Sequence, residues 1–303
     1  MKNDTPATNI FANIVAVTTI AIWGTTFVWT KLLIREGITP AQIFTIRFII
    51  AYILLTVVSL LKPQQHRWFS NNWKDEVIMV LLGLTGGSLY FLTENEALRF
   101  TTATNTSLIV CSCPLFASIL IGMFYKTERL NSIQIIGTTL SLIGMAIVVL
   151  NGQFVLHLSP LGDILAFTAC ISWAIYSLFI KRIMNIYPAT FITRKVFFYG
   201  IITILPYYIL QPGWPTMSQL IQPAVAINLI FLGAVASMLC FLTWNWCMKK
   251  LGAVHCTNYA YFNPVSTIIC AVVVLSEPLT VYTIIGTLIL ISGLFLCNRK
   301  NIR

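Results

Sequence analysis

Two glutamates, Glu94 and Glu96, stand two residues apart within a long apolar stretch of the chain. An ionisable side chain inside a membrane is energetically costly, so such residues are functional candidates by default. Side chains two positions apart on an α-helix point about 200° away from each other, and only one of them can face a given side. Glu96 precedes Arg99 by three residues, a spacing that favours a surface ion pair.

Glu94 is the stronger candidate for chemistry. It shares its predicted helix face with Gly87, Tyr90 and Phe91, and a stripe of small and aromatic residues is suited to lining a pocket. We expect Glu94 to be a carboxylate inside a cavity, where it would bind an ammonium group or carry a proton. The alternative is that both glutamates lie in a wet outer vestibule and only serve solubility.

The elements that position these residues must be membrane helices. Hydrophobic residues make up 57% of the 303 residues and charged residues 9%, against roughly 25% charged residues in soluble domains. In such a chain the net charge of +10 bears on orientation in a membrane and does not indicate nucleic-acid binding. The eight cysteines lie mostly in apolar runs, where cysteine acts as a small hydrophobe. We therefore predict no metal site and no disulfide framework.

Ten apolar stretches are long enough to cross a hydrocarbon core, which takes roughly 20 helical residues. They cover residues 10–33, 41–61, 77–98, 103–124, 132–151, 161–182, 190–210, 225–248, 254–275 and 280–297. The sequence thus predicts an all-α integral membrane protein with ten transmembrane helices. With the N-terminus inside, most Lys and Arg residues fall in cytoplasmic segments, so the positive-inside rule predicts that both termini are cytoplasmic.

Residues 1–152 and 153–303 read as two copies of one unit. Trp23 and Lys31 reappear as Trp173 and Lys181, at the same offset of 150 residues. Five predicted helices per copy is an odd number, so the second copy must enter the membrane from the opposite side. The two copies are therefore predicted to be inverted repeats, which are typical of secondary transporters with a substrate site near the midplane.

Several repeated motifs resemble those of a known family. They are Ile22-Trp23-Gly24-Thr25-Thr26-Phe27, Ser172-Trp173-Ala174, Arg47-Phe48, Pro114-Leu115-Phe116, Glu128 ahead of Ile136-Gly137, and Glu277 ahead of Ile285-Gly286. Over essentially the whole chain the sequence is similar to the ten-helix EamA branch of the drug/metabolite transporter superfamily. The resemblance implies a bacterial inner-membrane carrier, often an exporter of amino acids or other small metabolites. It also implies a central cavity mainly between the first, third, fourth, sixth, eighth and ninth helices.

If this architecture holds, a set of polar and aromatic side chains surrounds Glu94, the usual make-up of a small-molecule site. The set comprises Trp23, Thr26, Thr30, Tyr90, Asn105, Trp173, Tyr176, Trp244, Asn245, Asn258 and Tyr261. The alternative is an interfacial aromatic belt with ordinary helix packing. The second copy carries Trp244 and Trp246 where the first carries Glu94 and Glu96, which fits either substrate specialisation or neutral drift.

Other positions are predicted to serve mechanics or structure. Pro114 and Pro264 correspond in the two copies, and a proline within a helix kinks it, so we expect either hinges or static kinks. Arg47 could bind a substrate carboxylate, although its recurrence in the family favours a structural anchor. Lys31, near the end of a span, is expected to extend to the membrane interface.

Glu128 and Glu277 precede the fifth and tenth predicted helices. Negative charge is favoured at helix N-termini, so we expect both glutamates to be structural and to lie at such ends.

The sequence contains no catalytic signature: it has no paired zinc-ligand histidines, nucleophile elbow or glycine-rich phosphate loop. We therefore predict no enzyme activity and no cofactor. The expected function is secondary transport of a small metabolite by alternating access, most of all export of an amino acid, which could be aromatic. A monomer is expected, with protons as a candidate coupling ion. The alternatives are a lipid-linked sugar flippase and a passive channel or facilitator.

Overall fold

The computed structural model describes residues 6–61, 67–124, 132–150, 159–184, 186–210, 213–251, 259 and 262–297. These residues form helices joined by short turns, and no strand occurs among them. The helices are α1 (Pro6–Arg35), α2 (Pro40–Leu60), α3 (Trp73–Phe100), α4 (Ala103–Val110), α5 (Cys113–Phe124), α6 (Ser132–Leu150), α7 (Pro160–Ile183), α8 (Ala189–Leu210), α9 (Met217–Leu220), α10 (Pro223–Ile230, Phe231–Leu239 and Cys240–Leu251), α11 (Asn263–Leu275) and α12 (Val281–Cys297).

Six of these helices are long and apolar enough to cross a membrane. They are Ile10–Arg35, Pro40–Leu60, Trp73–Phe100, Pro160–Ile183, Ala189–Ile209 and Pro223–Trp244. The shorter apolar helices are Ser132–Val148, Asn263–Leu275 and Val281–Gly293. Large apolar side chains on their outer faces are exposed, among them Ile53 and Ile202, as expected where lipid replaces water. The prediction of an all-helical membrane protein is confirmed.

The turn between α1 and α2 shows how the sequence sets a helix boundary. Gly37 has a φ of +83°, a left-handed conformation that side chains disfavour. Thr39 then caps α2: the Gln42 amide donates to the Thr39 hydroxyl at 3.4 Å, and the Thr39 amide donates to Gln42 Oε1 at 2.9 Å. Pro40 follows at the first helical position, where it needs no hydrogen-bond partner.

Both α3 and α10 contain a π-helical segment, Leu84–Ser88 in α3 and Phe231–Leu239 in α10. A π-helical turn accommodates an extra residue within an α-helix and often marks a functional site. Each segment packs on helices of the other repeat copy. Leu84–Ser88 contacts α8 and α7, and Phe231–Leu239 contacts α2 and α1. Both π-helical segments therefore lie in contacts between residues 1–152 and residues 153–303.

The fourth predicted span differs from expectation. Residues 103–124 do not form one helix, because α4 ends at Val110 and α5 begins at Cys113. Pro114 is thus the second residue of α5, and Pro264 is the second residue of α11. A proline in the first turn of a helix disrupts no regular backbone hydrogen bond. Both prolines thus lie in the first turn of a described helix and not in its middle, and hinges or static kinks at these positions stay a prediction.

Helices α6 and α12 pack closely through small residues. A Cβ atom at Gly144 would lie 2.6 Å from the Gly286 carbonyl oxygen, and one at Gly293 would lie 2.6 Å from the Gly137 carbonyl oxygen. Glycine at these positions allows the two backbones to approach, as in other membrane helix pairs.

Candidate functional site

Glu94 lies on α3 in the central core and is only 6% exposed. Its Oε2 atom is shielded from solvent and accepts no hydrogen bond within the described residues. The Tyr90 hydroxyl, one helical turn earlier, lies near the carboxyl group. An acceptor left free in the protein interior carries a large desolvation penalty, so this oxygen has unused binding capacity.

The Arg47 side chain on α2 is also buried, at 5% exposure. Its Nε donates to the Ser237 hydroxyl of α10 at 2.6 Å, and its Cζ lies 4.7 Å from the centroid of the Phe91 ring. Arg47 and Glu94 attract each other electrostatically, but no nitrogen and oxygen of the pair lie within 4.0 Å. The site therefore holds two opposite charges that are close without a direct ion pair.

Aromatic rings from α3 and α7 form a connected group that includes Tyr90, one helical turn before Glu94. The Tyr90 ring centroid is 4.8 Å from that of Phe91 and 5.0 Å from that of Trp173, and Trp173 is 4.9 Å from Tyr176. The Tyr176 ring packs on Gly86, where a Cβ atom would overlap the ring carbons. The predicted candidates Tyr90, Trp173 and Tyr176 thus form one connected aromatic group, and Tyr90 is its member near Glu94.

Trp23 and Trp244 form a second aromatic group, between α1 and α10. Their ring centroids are 5.4 Å apart, and Trp23 also meets Phe241 at 5.5 Å. The Trp23 Nε1 atom donates to the Ala236 carbonyl oxygen at 2.8 Å, and the Thr26 hydroxyl donates to the Trp23 carbonyl at 2.6 Å. The indole nitrogen is therefore already engaged in a contact between helices. Thr30 on the same helix is 2% exposed.

The two π-helical segments receive similar hydrogen bonds from the two parts of the chain. The Ser172 hydroxyl on α7 donates to the Thr85 carbonyl in α3 at 2.7 Å, just as Trp23 on α1 donates to Ala236 in α10. The shifted hydrogen-bond ladder of a π turn changes which carbonyls have backbone partners. The side chains of Ser172 and Trp23 therefore supply donors for the Thr85 and Ala236 carbonyl oxygens.

Asn105 lies apart, at the first turn of α4. The backbone amide of Asn105 donates to the Thr102 hydroxyl at 3.0 Å. Its side-chain Nδ2 is 3.5 Å from the Thr101 hydroxyl. Of the remaining predicted candidates, Asn258 and Tyr261 lie outside the described residues, as does the side chain of Asn245. Glu128 is also outside them.

Glu277 lies at the N-terminus of α4. It was expected at the N-terminus of α12, the helix that follows it in the chain. It accepts hydrogen bonds from the Ala103 amide at 2.8 Å and from the Thr104 amide at 3.1 Å and hydroxyl at 2.8 Å. Lys31 donates to the Thr101 carbonyl and has its Nζ 4.0 Å from Glu277 Oε1. The charge of Lys31 is therefore used inside this cluster.

The ion pair predicted between Glu96 and Arg99 from their spacing is confirmed. Its Oε2 accepts from Arg99 Nη1 at 3.0 Å, and the Arg99 side chain is 50% exposed. The Tyr207 hydroxyl donates to the other carboxylate oxygen of Glu96 at 3.3 Å. Glu96 therefore belongs to the end of α3, and Glu94 is the glutamate that faces the core.

Sequence reasoning did not identify a polar cluster at the opposite end of α3. Lys195 and Tyr199 on α8 both donate to Glu76 Oε1, and the Ser70 amide donates to Glu76 Oε2 at 3.0 Å. Lys195 lies 148 residues after Arg47, close to the repeat offset of 150 residues, so the two positions correspond in the two copies. A search for acidic residues near the start of α3 could have proposed Glu76 as the partner of Lys195.

The model of the EamA-like transporter family matches the sequence twice, at residues 10–150 and 160–299. The chain belongs to the EamA-like transporter family. A protein of Archaeoglobus fulgidus named "Uncharacterized transporter" is 26% identical to this EamA-like chain over 93% of it and 95% of the relative. "Probable amino-acid metabolite efflux pump" of Escherichia coli is 24% identical over 93% of each chain.

A third relative and one solved structure extend these similarities. "Probable terminal-alkyne amino-acid exporter" of Streptantibioticus cattleyicolor is 24% identical over 76% of this EamA-like chain and 75% of the relative. A crystal structure covers 94% of both chains with a TM-score of 0.65 and 20% identity. At that identity the solved structure supports the shared fold alone.

Proposed function

We propose that this protein exports amino acids or closely related metabolites across the bacterial inner membrane. Two similar proteins carry names that refer to amino-acid efflux or export, and both match most of this chain. Glu94 would act as the carboxylate of the substrate site, binding an ammonium group or carrying a coupling proton. No cofactor is needed for this activity, and one copy of the chain would suffice.

The proposed mechanism is alternating access between two inverted five-helix halves, residues 1–152 and 153–303, which together give ten membrane helices. The double match to the family model supports this division. The helix contacts support it too, because they pair across the halves in matching ways. Helix α1 packs on α11 as α7 packs on α5, and α2 packs on the π segment of α10 as α8 packs on that of α3. Two conformations related by exchange of the halves would have similar energies.

The proposed orientation has both termini in the cytoplasm, on the basis of the positive-inside rule. Lys31 and Glu277 would then lie at the periplasmic end, and Lys195 and Glu76 at the cytoplasmic end. Glu94 would lie between these two clusters, at a depth suited to a carrier whose site opens alternately to each side.

The observation that carries the proposal is the buried Glu94 carboxyl group, whose Oε2 has no partner in the described protein. A carboxylate kept in the core of a membrane protein without a direct ion pair is destabilising. Its retention is explained if a substrate ammonium group or a proton neutralises it during the transport cycle.

Transport by purified protein in proteoliposomes tests this function. The twenty proteinogenic amino acids are offered as a panel, and efflux of labelled substrate is followed over a range of pH. The E94Q variant should lose transport or its pH dependence, whereas E96Q, altered at the Arg99 pair, should retain both. If E94Q matches the unmodified protein in rate and pH profile, the role of Glu94 is refuted. If none of the twenty is transported, amino-acid export is refuted, and a flux that does not saturate would indicate a channel.

A further inference from the structure

Arg47 and its repeat counterpart Lys195 are both buried cations, but their surroundings differ. Lys195 forms an ion pair with Glu76, and three aromatic rings surround its ammonium group. Arg47 has no carboxylate within ion-pairing distance among the described residues; its one side-chain hydrogen bond there goes to the neutral Ser237. A buried charge without an ionic partner is costly, so the two positions do not serve the same structural purpose.

The guanidinium group of Arg47 is held in a fixed orientation. Ser237 fixes the Nε edge from α10, and the Phe91 ring lies against the planar face. The two terminal nitrogens of Arg47 make no hydrogen bond within the described protein. Among the described residues, nothing occupies the edge of the guanidinium that binds a carboxylate through two parallel hydrogen bonds.

Glu94 supplies the complementary charge from α3. Phe91, which packs under Arg47, is three residues before Glu94 on the same helix. The two charged groups interact electrostatically without direct contact. Each thus retains binding capacity toward a ligand group of opposite charge.

We propose that Arg47 and Glu94 form a two-point site for a zwitterion, in which Arg47 binds the α-carboxylate and Glu94 binds the α-ammonium group of one amino acid. This inference rests on the proposed export function and specifies the substrate as a molecule with both charged groups unmodified. Tyr90 lies near both charged groups and its ring contacts Trp173, so these two rings would contact the substrate side chain. Because Glu94 Oε2 is shielded from solvent here, the two halves must separate locally to admit the ligand.

Ligand-induced thermal stabilisation of the purified, detergent-solubilised protein tests the two points separately, since a ligand of the folded state raises the melting temperature. The probes are the amino acid that the vesicles transport fastest, its carboxamide and its N-acetyl derivative. The free amino acid should stabilise the unmodified protein, and both derivatives should bind at least about tenfold more weakly. The R47Q variant should lose its preference for the free acid over the carboxamide. The E94Q variant should lose its preference for the free amine over the N-acetyl form.

The K195Q variant is the matched control for removal of a buried cation. It should lower the melting temperature without changing the preference for the free acid. If R47Q does not fold, R47K and S237A replace it. R47K keeps the positive charge, and S237A removes the hydroxyl that holds the Arg47 Nε atom while keeping the guanidinium group. Both should bind the free acid several-fold more weakly and the carboxamide as before.

Two results would overturn the two-point site. One is equal stabilisation of the unmodified protein by the free acid and the carboxamide. The other is an unaltered preference for the free acid in the folded Arg47 and Ser237 variants. Either result leaves amino-acid export standing, because vesicles that transport an amino acid test that function independently.

Discussion

The indole nitrogen of Trp23 donates a hydrogen bond to the carbonyl oxygen of Ala236, 2.8 Å away and 213 residues later in the chain. The acceptor belongs to the π-helical segment of α10, where the helical ladder is interrupted. The bond therefore joins the first membrane helix to the most irregular part of another. Ser172 and Thr85 repeat the arrangement between α7 and α3.

Replacement of Trp23 by phenylalanine should destabilise the protein. The ring contacts with Phe241 and Trp244 are largely kept, whereas the Ala236 carbonyl loses its side-chain donor. A buried acceptor without a partner costs about 1–3 kcal/mol. The measurement is the melting temperature in detergent. The control is W214F, because Trp214 is 52% exposed; equal melting temperatures for the two variants would contradict the prediction.

Removal of the Glu277 carboxylate should weaken the junction of α3 and α4. The amides of Ala103 and Thr104 would lose their acceptor, and Lys31 would lose its counter-charge. Loss of a helix cap costs about 1–2 kcal/mol, so E277A should melt at a lower temperature and E277Q at an intermediate one. The exposed Glu36 provides the control E36A. A melting temperature of E277A no lower than that of E36A would show that this contact adds nothing to stability.

A methyl group at Gly144 should push α6 away from α12. The added Cβ would lie 2.6 Å from the Gly286 carbonyl oxygen, and backbone atoms cannot move aside as a flexible side chain can. Overpacking of this kind costs about 1–3 kcal/mol, so G144A should unfold at a lower temperature. Ala146 is exposed on the same helix, and A146L adds more bulk there without harm. Comparable losses in both variants would mean that bulk anywhere on α6 is harmful.

Removing one partner of the Lys195–Glu76 ion pair should lower the free energy of unfolding more than removing both. Breaking a buried ion pair by removing one partner costs on the order of 3 kcal/mol, because the other charge stays behind. The Glu76 side chain is 24% exposed, so water reduces this penalty when Glu76 is the residue left unpaired. We therefore expect E76Q, which leaves the 8%-exposed Lys195 unpaired, to lose more stability than the double variant K195Q/E76Q. A double-mutant cycle of unfolding free energies measures the coupling, and strictly additive losses would refute it.

Helix positions could largely be predicted from the sequence, because they depend on local hydropathy. Residues 132–151 were predicted and Ser132–Leu150 is found; residues 161–182 were predicted and Pro160–Ile183 is found. The break between Val110 and Cys113 was not predicted. The apolar pattern continues across it, and hydropathy carries no information on a local change in backbone hydrogen bonding.

The candidate site could be predicted only in part. The burial of Glu94 follows from its apolar neighbours in sequence, and the Glu96–Arg99 pair follows from helical spacing. The partners of Arg47 and Glu277 could not be found in this way. Ser237 is 190 residues from Arg47, and Ala103 is 174 residues from Glu277. Such contacts depend on how the helices pack, which one sequence does not specify.

The π-helical segment Leu84–Ser88 also determines the direction in which Glu94 points. One extra residue in a helix rotates everything after it by about 100° relative to an uninterrupted helix. A helical wheel drawn straight through α3 therefore misaligns the part before Leu84 with the part that holds Tyr90 and Glu94. Regular α-helical hydrogen bonding through the segment, with every residue kept, would turn the carboxylate away from Arg47. The π-helical segment thus determines how the end of α3 that carries Glu94 is rotated about the helix axis. Substitutions within this segment can change that rotation without changing any charged group.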